Sequence, residues 1–269
     1  MMVQVRRALL EMNNIEAVLL KQRSDEASAE LQDTIYAMII GFGSGISLLF
    51  LSYVAVNREF ALRKKAEEAV LDYVKQLGNA MESTLQAVAR VVEAHDPYTA
   101  GHELRVGQIS ADIAREMGWS EEKCNSLQLI GLVHDIGKMS IPSEILSKPS
   151  QLSAIEFELI KTHAEQGYQI LKNVEFPLPI AEIIREHHER MDGSGYPQGL
   201  KGEETLLEAR ILAVADVLEA MASDRPYRAS LGIEAAISEI ETHRGSLFDP
   251  DVTDAMLRLI REKGYHLPE

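Results

Sequence analysis

The stretch 187–197 reads His187-His188-Glu189-Arg190-Met191-Asp192-Gly193-Ser194-Gly195-Tyr196-Pro197, two adjacent imidazoles and two carboxylates directly before a Gly-x-Gly turn. Neighbouring side chains on a helix diverge by about 100°, so such histidines can ligate one metal jointly or serve two metals of a cluster. Gly193 and Gly195 permit backbone conformations closed to other residues and Pro197 fixes the exit, so the run turns sharply. Metal chemistry is the first expectation.

Outward from this run the pattern is helical. Ile109, Ile113 and Met117 recur at a spacing of four, and Ala181, Ile183 and Ile184 also fall at helical spacing, with no alternating strand pattern between them. Turn signals punctuate the helices at Asp96-Pro97, Gly118, Ile141-Pro142, Pro177, Pro179, Gly193 to Pro197 and Gly199 to Gly202. The expectation is an all-α bundle over 81–269.

At 269 residues with 46% hydrophobic and 26% charged content, the chain supports one substantial domain and an accessory segment. A formal charge of −15 disfavours DNA or RNA polymers as partners and makes any anionic substrate depend on metals and placed cations. The lone cysteine, Cys124, excludes an intrachain disulfide framework and the usual Cys-based zinc sites, and reads as structural. The ligand inventory is therefore His and carboxylate, which suits iron, manganese or zinc.

Residues Thr34 to Val56 carry no charged side chain and, at about 1.5 Å per residue, cover roughly 30 Å of hydrocarbon. The run, with Tyr36 and Tyr53 near its ends and Gly41, Gly43, Ser44 and Gly45 inside, reads as a transmembrane helix over 34–56. Arg58, Arg63, Lys64 and Lys65 follow it, which puts the rest of the chain in the cytoplasm. Before the span, residues 1–33 read as a short amphipathic helix; whether Met1 is the natural start or a sensor is missing stays open. After it, Val70, Tyr73 or Val74, Leu77, Met81, Leu85, Val88 and Val92 recur at three and four, a helical stalk over 57–80 that leads into the bundle and suits a parallel homodimer.

Five of the eight histidines, His102, His134, His163, His187 and His188, sit in polar or Gly-bearing contexts, with Asp135 and Asp216 as acidic companions. In LVHDIGKMSIP (132–142), His134 can bind one metal while the neighbouring Asp135 carboxylate has two oxygens and can bridge to a second. Two metals about 3.5–4 Å apart make hydroxide available near neutral pH. Lys138 stands about one turn on, where its ammonium can meet a phosphate oxygen.

The segments HDPYTAGHELRV, HDIGK, KTHAEQGYQIL, HHERMDGSGYP, ADVLEAMASDRPYR and GSLFDP resemble, in order and spacing, the HD-GYP family of bacterial metal-dependent phosphodiesterases that open cyclic di-GMP. The resemblance covers about Met81 to the C-terminus; the run ending in Gly-Tyr-Pro separates this branch from the wider HD phosphohydrolases. It implies an HD-domain helical bundle and makes His102, His134, Asp135, His163, His187, His188 and Asp216 the metal ligands, with Asp135 bridging. It gives Lys138 the scissile phosphate, Arg225 and Arg228 the other phosphate contacts, and the Gly-Tyr-Pro loop a docking role toward diguanylate cyclase domains. Members with a third metal carry Glu where this chain has Tyr98, so two divalent ions, iron or manganese, are implied. Glu219 stands where the family more often has Asp.

The implied reaction is attack of a metal-bridged hydroxide on one phosphodiester bond, giving linear pGpG and, after a second round, GMP, at the bacterial inner membrane. The rival readings are an HD phosphohydrolase acting on another nucleotide and a membrane-tethered receptor that binds cyclic di-GMP without cleaving it.

Overall fold

A computed structural model describes residues 2–96, 101–148, 150–223 and 230–268 of the chain. They fall into two compact units, Met1–Lys75 and Gln76–Glu269. The first helix, α1 (Met2–His95), runs through the first unit and into the second. Its residues 2–75 are exposed throughout, and it holds a window of mean hydropathy 2.0, long and apolar enough to cross a membrane. Val70, Val74 and Leu77 are bare along the stalk seam, whereas further along the same seam Val92 is buried and Leu85 and Val88 pack on the core of the second unit.

That second unit is all-helical among the described residues, apart from an isolated bridge between Arg244 and Phe248. Beyond α1 it contains α2 (His102–Glu116), α3 (Glu121–Gly131), α4 (Ser143–Leu146), α5 (Ala154–Leu171), α6 (Ile180–Glu186), α7 (Leu207–Ala222), α8 (Ile233–Thr242) and α9 (Pro250–Leu257). Helix α2 packs on α3 and α7, and α5 packs on α6 and on a 3₁₀ turn over Ile136–Ser140. Ile109, Ile113, Leu127, Ile130, Ile183, Ile184, Ile211 and Leu212 are fully buried, each stabilising the bundle by about 1.5–3 kcal/mol.

The breaks have local causes. Gly118, with φ of 86°, follows the end of α2 in the left-handed region. Pro142 and Pro179 directly precede α4 and α6, where a missing N–H costs nothing. Helix α5 starts with a reciprocal capping box between Ser153 and Glu156, and α9 starts with Asp249 accepting from the Asp251 and Val252 amides ahead of a first-turn proline. Cys124 is buried in the core.

Candidate metal centre

Three helices and two turns converge on one point. The first residue of α2 is His102, the turn after α3 supplies His134 and Asp135, the middle of α5 supplies His163, the turn after α6 supplies His187 and His188, and α7 supplies Asp216. The seven sequence-predicted ligands therefore meet, in two adjoining sets. His102, His134 and Asp216 form one; Asp135, His163, His187 and His188 form the other. The approach of α5 to the His-Asp turn requires a glycine at 137, because a Cβ there would strike the His163 carbonyl and the Gly167 amide.

The two oxygens of Asp135 divide between the sets. Oδ1 lies 3.3 Å from His163 Nε2, and Oδ2 lies 3.5 Å from His134 Nε2. Asp216 Oδ1 stands 3.2 Å from His102 Nε2 and 4.0 Å from His134 Nε2. Ligands about 2.1 Å from a tetrahedral or octahedral ion are separated by roughly 3.0–3.4 Å, so the His163–Asp135 and His102–Asp216 spacings fit a shared cation, while the two contacts of His134 Nε2 are wider.

A stronger indication comes from the ring protons. His163 and His187 direct Nδ1 to the carbonyls of Ile160 at 2.7 Å and Ile184 at 2.6 Å, which places the ring proton of each neutral imidazole there. Their Nε2 atoms, 3.5 Å apart, then present lone pairs to each other. Buried lone pairs so placed need a cation between them. Burial, followed by the neighbouring histidines, pushes His187 down to about 3 and His188 well below the usual range, and burial likewise lowers His163. These three imidazoles are neutral at pH 7 and ready to coordinate.

The other set differs. Burial alone would lower His102 and His134, but hydrogen bonds to Asp216 and Glu219 take His102 up to about 9, and Glu103 with Asp135 takes His134 up to about 10. Burial would also raise Asp135 and Asp216; Lys138 and the adjacent imidazoles hold the first far down, and His102 the second. Lys138 Nζ sits 2.6 Å from Asp135 Oδ2 and 3.2 Å from Asp96 Oδ2. Its ammonium therefore lies at the centre, and these carboxylates, prevailing over burial, raise its pKa.

In the opening run, His187 and His188 enter the centre but its two carboxylates do not. Glu189, buried, accepts from the amides of Gln198 at 2.7 Å, Gly199 at 3.1 Å and Leu200 at 3.0 Å, and so holds the Gly-Tyr-Pro loop closed. Asp192 caps the Ser194 amide at 2.9 Å. Tyr196 lies over His188 with ring centroids 4.7 Å apart, and Gly195 presses on the Glu189 backbone where a side chain would collide. This loop aims His188. Tyr98, Arg225 and Arg228 lie outside the described residues.

Four acids beyond the predicted ligand set support the centre and its approach. Glu219 contacts His102 Nδ1 and spans to Arg105 at 2.6 Å, so the longer arm ties ligand to guanidinium. Asp96 reaches Lys138, whereas Glu93 caps the Gly101 amide at 2.7 Å. Glu103, 1% exposed, lies 2.7 Å from His134 Nδ1. Its sequence signal was its register, since Glu103, Val106, Ser110 and Ile113 share the inward face of α2.

Residues 86–252 match the HD domain family. The chain belongs to that family. This HD-domain chain is 42% identical over 205 residues to a cyclic di-GMP phosphodiesterase of Thermotoga maritima, covering 76% of this chain and 55% of that protein. It is 35% identical over 191 residues to a 3'3'-cGAMP-specific phosphodiesterase of Vibrio cholerae, covering 70% and 42% respectively. The chain thus spans about half the length of these curated relatives. A HDG"Y"P protein from Bdellovibrio bacteriovorus shares the fold of this HD domain, with a TM-score of 0.52, 18% identity, and coverage of 66% of this chain and 62% of that one.

Proposed function

We propose that this protein is an HD-GYP phosphodiesterase that hydrolyses cyclic di-GMP to linear pGpG, with GMP as the product of any second round, anchored in the bacterial inner membrane by residues 34–56 with its catalytic unit in the cytoplasm and paired as a homodimer through the stalk. The observation that carries the catalytic reading is the split of Asp135 between two sets of imidazole and carboxylate donors. His102, His134 and Asp216 would hold one divalent ion and His163, His187 and His188 the other, with Asp135 common to both; iron and manganese suit these donors. Such ions supply charge stabilisation of a phosphoryl oxygen and a hydroxide nucleophile near neutral pH.

The chain's own residues do the rest. Lys138, held beside Asp135 by two carboxylates, offers a cation to the non-bridging oxygen of the scissile phosphate. The backbone carbonyls behind His163 and His187 fix ring orientation, and the Glu189-clasped loop fixes His188. Arg225 and Arg228, with planar forks suited to phosphate, would hold the second phosphate of the ring. The Gly-Tyr-Pro loop is proposed to meet diguanylate cyclase domains.

The test is a product assay on the full chain, solubilised in detergent and loaded anaerobically with iron or manganese. Cyclic di-GMP should be consumed with pGpG appearing first. Binding without product would establish the receptor reading instead, and faster turnover of 3'3'-cGAMP would move the substrate to that of the Vibrio cholerae relative.

A further inference from the structure

The ligand imidazoles with a resolved Nδ1 contact lean on three kinds of partner. Behind His163 and His187 stands one neutral backbone carbonyl each. Behind His102 stands Glu219, whose charge is met by Arg105. Behind His134 stand both the Gly131 carbonyl, 2.8 Å from Nδ1, and Glu103, 2.7 Å from it.

Glu103 is the unusual partner. It is 1% exposed, and among the described residues it pairs with no Lys or Arg. Neither of its oxygens makes a well-directed hydrogen bond among those residues, although Oε2 lies 2.7 Å from His134 Nδ1. A buried, uncompensated carboxylate is costly, so its retention calls for a positive charge reached through something it does touch. What it touches is the outer nitrogen of a ligand imidazole, whose inner nitrogen points at Asp135 and Asp216.

Glu103, His134 and Asp135 lie close enough to suggest a separate ion there. The chemistry argues otherwise. A neutral imidazole has one N–H, and the Gly131 carbonyl and Glu103 both call for it on Nδ1, leaving no lone pair on that side.

We infer that Glu103 is a positioning residue that acts through His134, fixing its tautomer and raising its basicity, so that the ion held by His102, His134 and Asp216 is bound more tightly than its neighbour. The inference rests on the two-metal reading given above. Removing an outer-sphere carboxylate of this kind weakens metal binding by about 10- to 100-fold.

The test is a Mn²⁺ titration of the full chain in detergent, followed by electron paramagnetic resonance, for wild type, Glu103→Gln, His134→Asn and the double variant. Wild type should take up two ions; Glu103→Gln should weaken one of them about 10- to 100-fold and leave the other within about threefold. In the His134→Asn background, Glu103→Gln should change nothing further. Metal-free Glu103→Gln should still melt cooperatively, though below the wild-type temperature, because the buried pair between Glu103 and His134 is gone. Equal weakening of both ions, unchanged affinity for both, or loss of a cooperative metal-free melt would overturn the role assigned to Glu103. If wild type binds fewer than two ions, the two-metal reading itself falls, and the inference with it.

Discussion

The two halves of the centre share Asp135 yet are built on opposite principles. Around His102, His134 and Asp216 the supporting groups are carboxylates, Glu103 and Glu219, and the metal-free imidazoles rise to about 9 and 10. Around His163 and His187 the supports are backbone carbonyls; burial keeps those rings neutral, taking His187 down to about 3. One half stores protons where a metal would go; the other offers open lone pairs. Similar ligand types can therefore make sites of different affinity and different pH response, set by what stands behind them.

The substitution that breaks both halves together should have the largest effect. Asp135→Asn keeps the shape but removes the charge that each half uses, and hydrolysis should fall by about 10³-fold, read in the product assay. Substitutions confined to one half come next. His187→Ala and His102→Ala should each lower bound Mn²⁺ from two ions to one, counted by metal analysis after gel filtration, and the remaining ion should differ in affinity between the two variants.

The pH response separates the halves without mutation. At pH 7 His102 and His134 are protonated when metal is absent, so an ion must displace those protons, and affinity there should rise with pH until about 9 to 10. His163, His187 and His188 carry no second, charging proton above 6.5, so the other affinity should stay flat over the same range. Titrations in buffers of different ionisation enthalpy would resolve the two.

Metal-free stability should follow the same division with opposite signs. The raised pair contributes stability that is complete below the unfolded value of 6.5 and lost as pH climbs through 9 and 10. The depressed rings make the folded state lose ground below 6.5, where unfolded histidine takes up protons that the folded rings refuse. A melting maximum near pH 6.5 follows.

The smallest effect should come from the loop that aims His188. Glu189→Gln weakens three amide contacts and should cost about 1–3 kcal/mol in denaturant unfolding while both ions remain bound.

Much of this centre was readable in the chain because His-Asp, His-His and the Gly-x-Gly turn are residue types with few structural uses in such combination. The helical bundle was readable because Ile109, Ile113, Ile183 and Ile184 mark their faces by period. What escaped were the supports. Glu103, Glu189 and the bond from Glu219 to Arg105 look like surface charges in a chain with 42 acids, and only tertiary packing buries them. The opening run misled in one respect, since its acids serve the loop. The N-terminal stretch, read as three segments, is one helix, because nothing between residues 2 and 95 interrupts helical backbone bonding.

On the proposed two-metal reading, the Asp135 carboxylate would join two unlike half-sites into a single dinuclear centre. Electron paramagnetic resonance of the full chain during Mn²⁺ titration tests it most directly. Two ions should bind in sequence, with the second quenching the isolated signal of the first through exchange coupling across Asp135, and Asp135→Asn should abolish that coupling. A single bound ion, or two ions whose signals simply add, would contradict it.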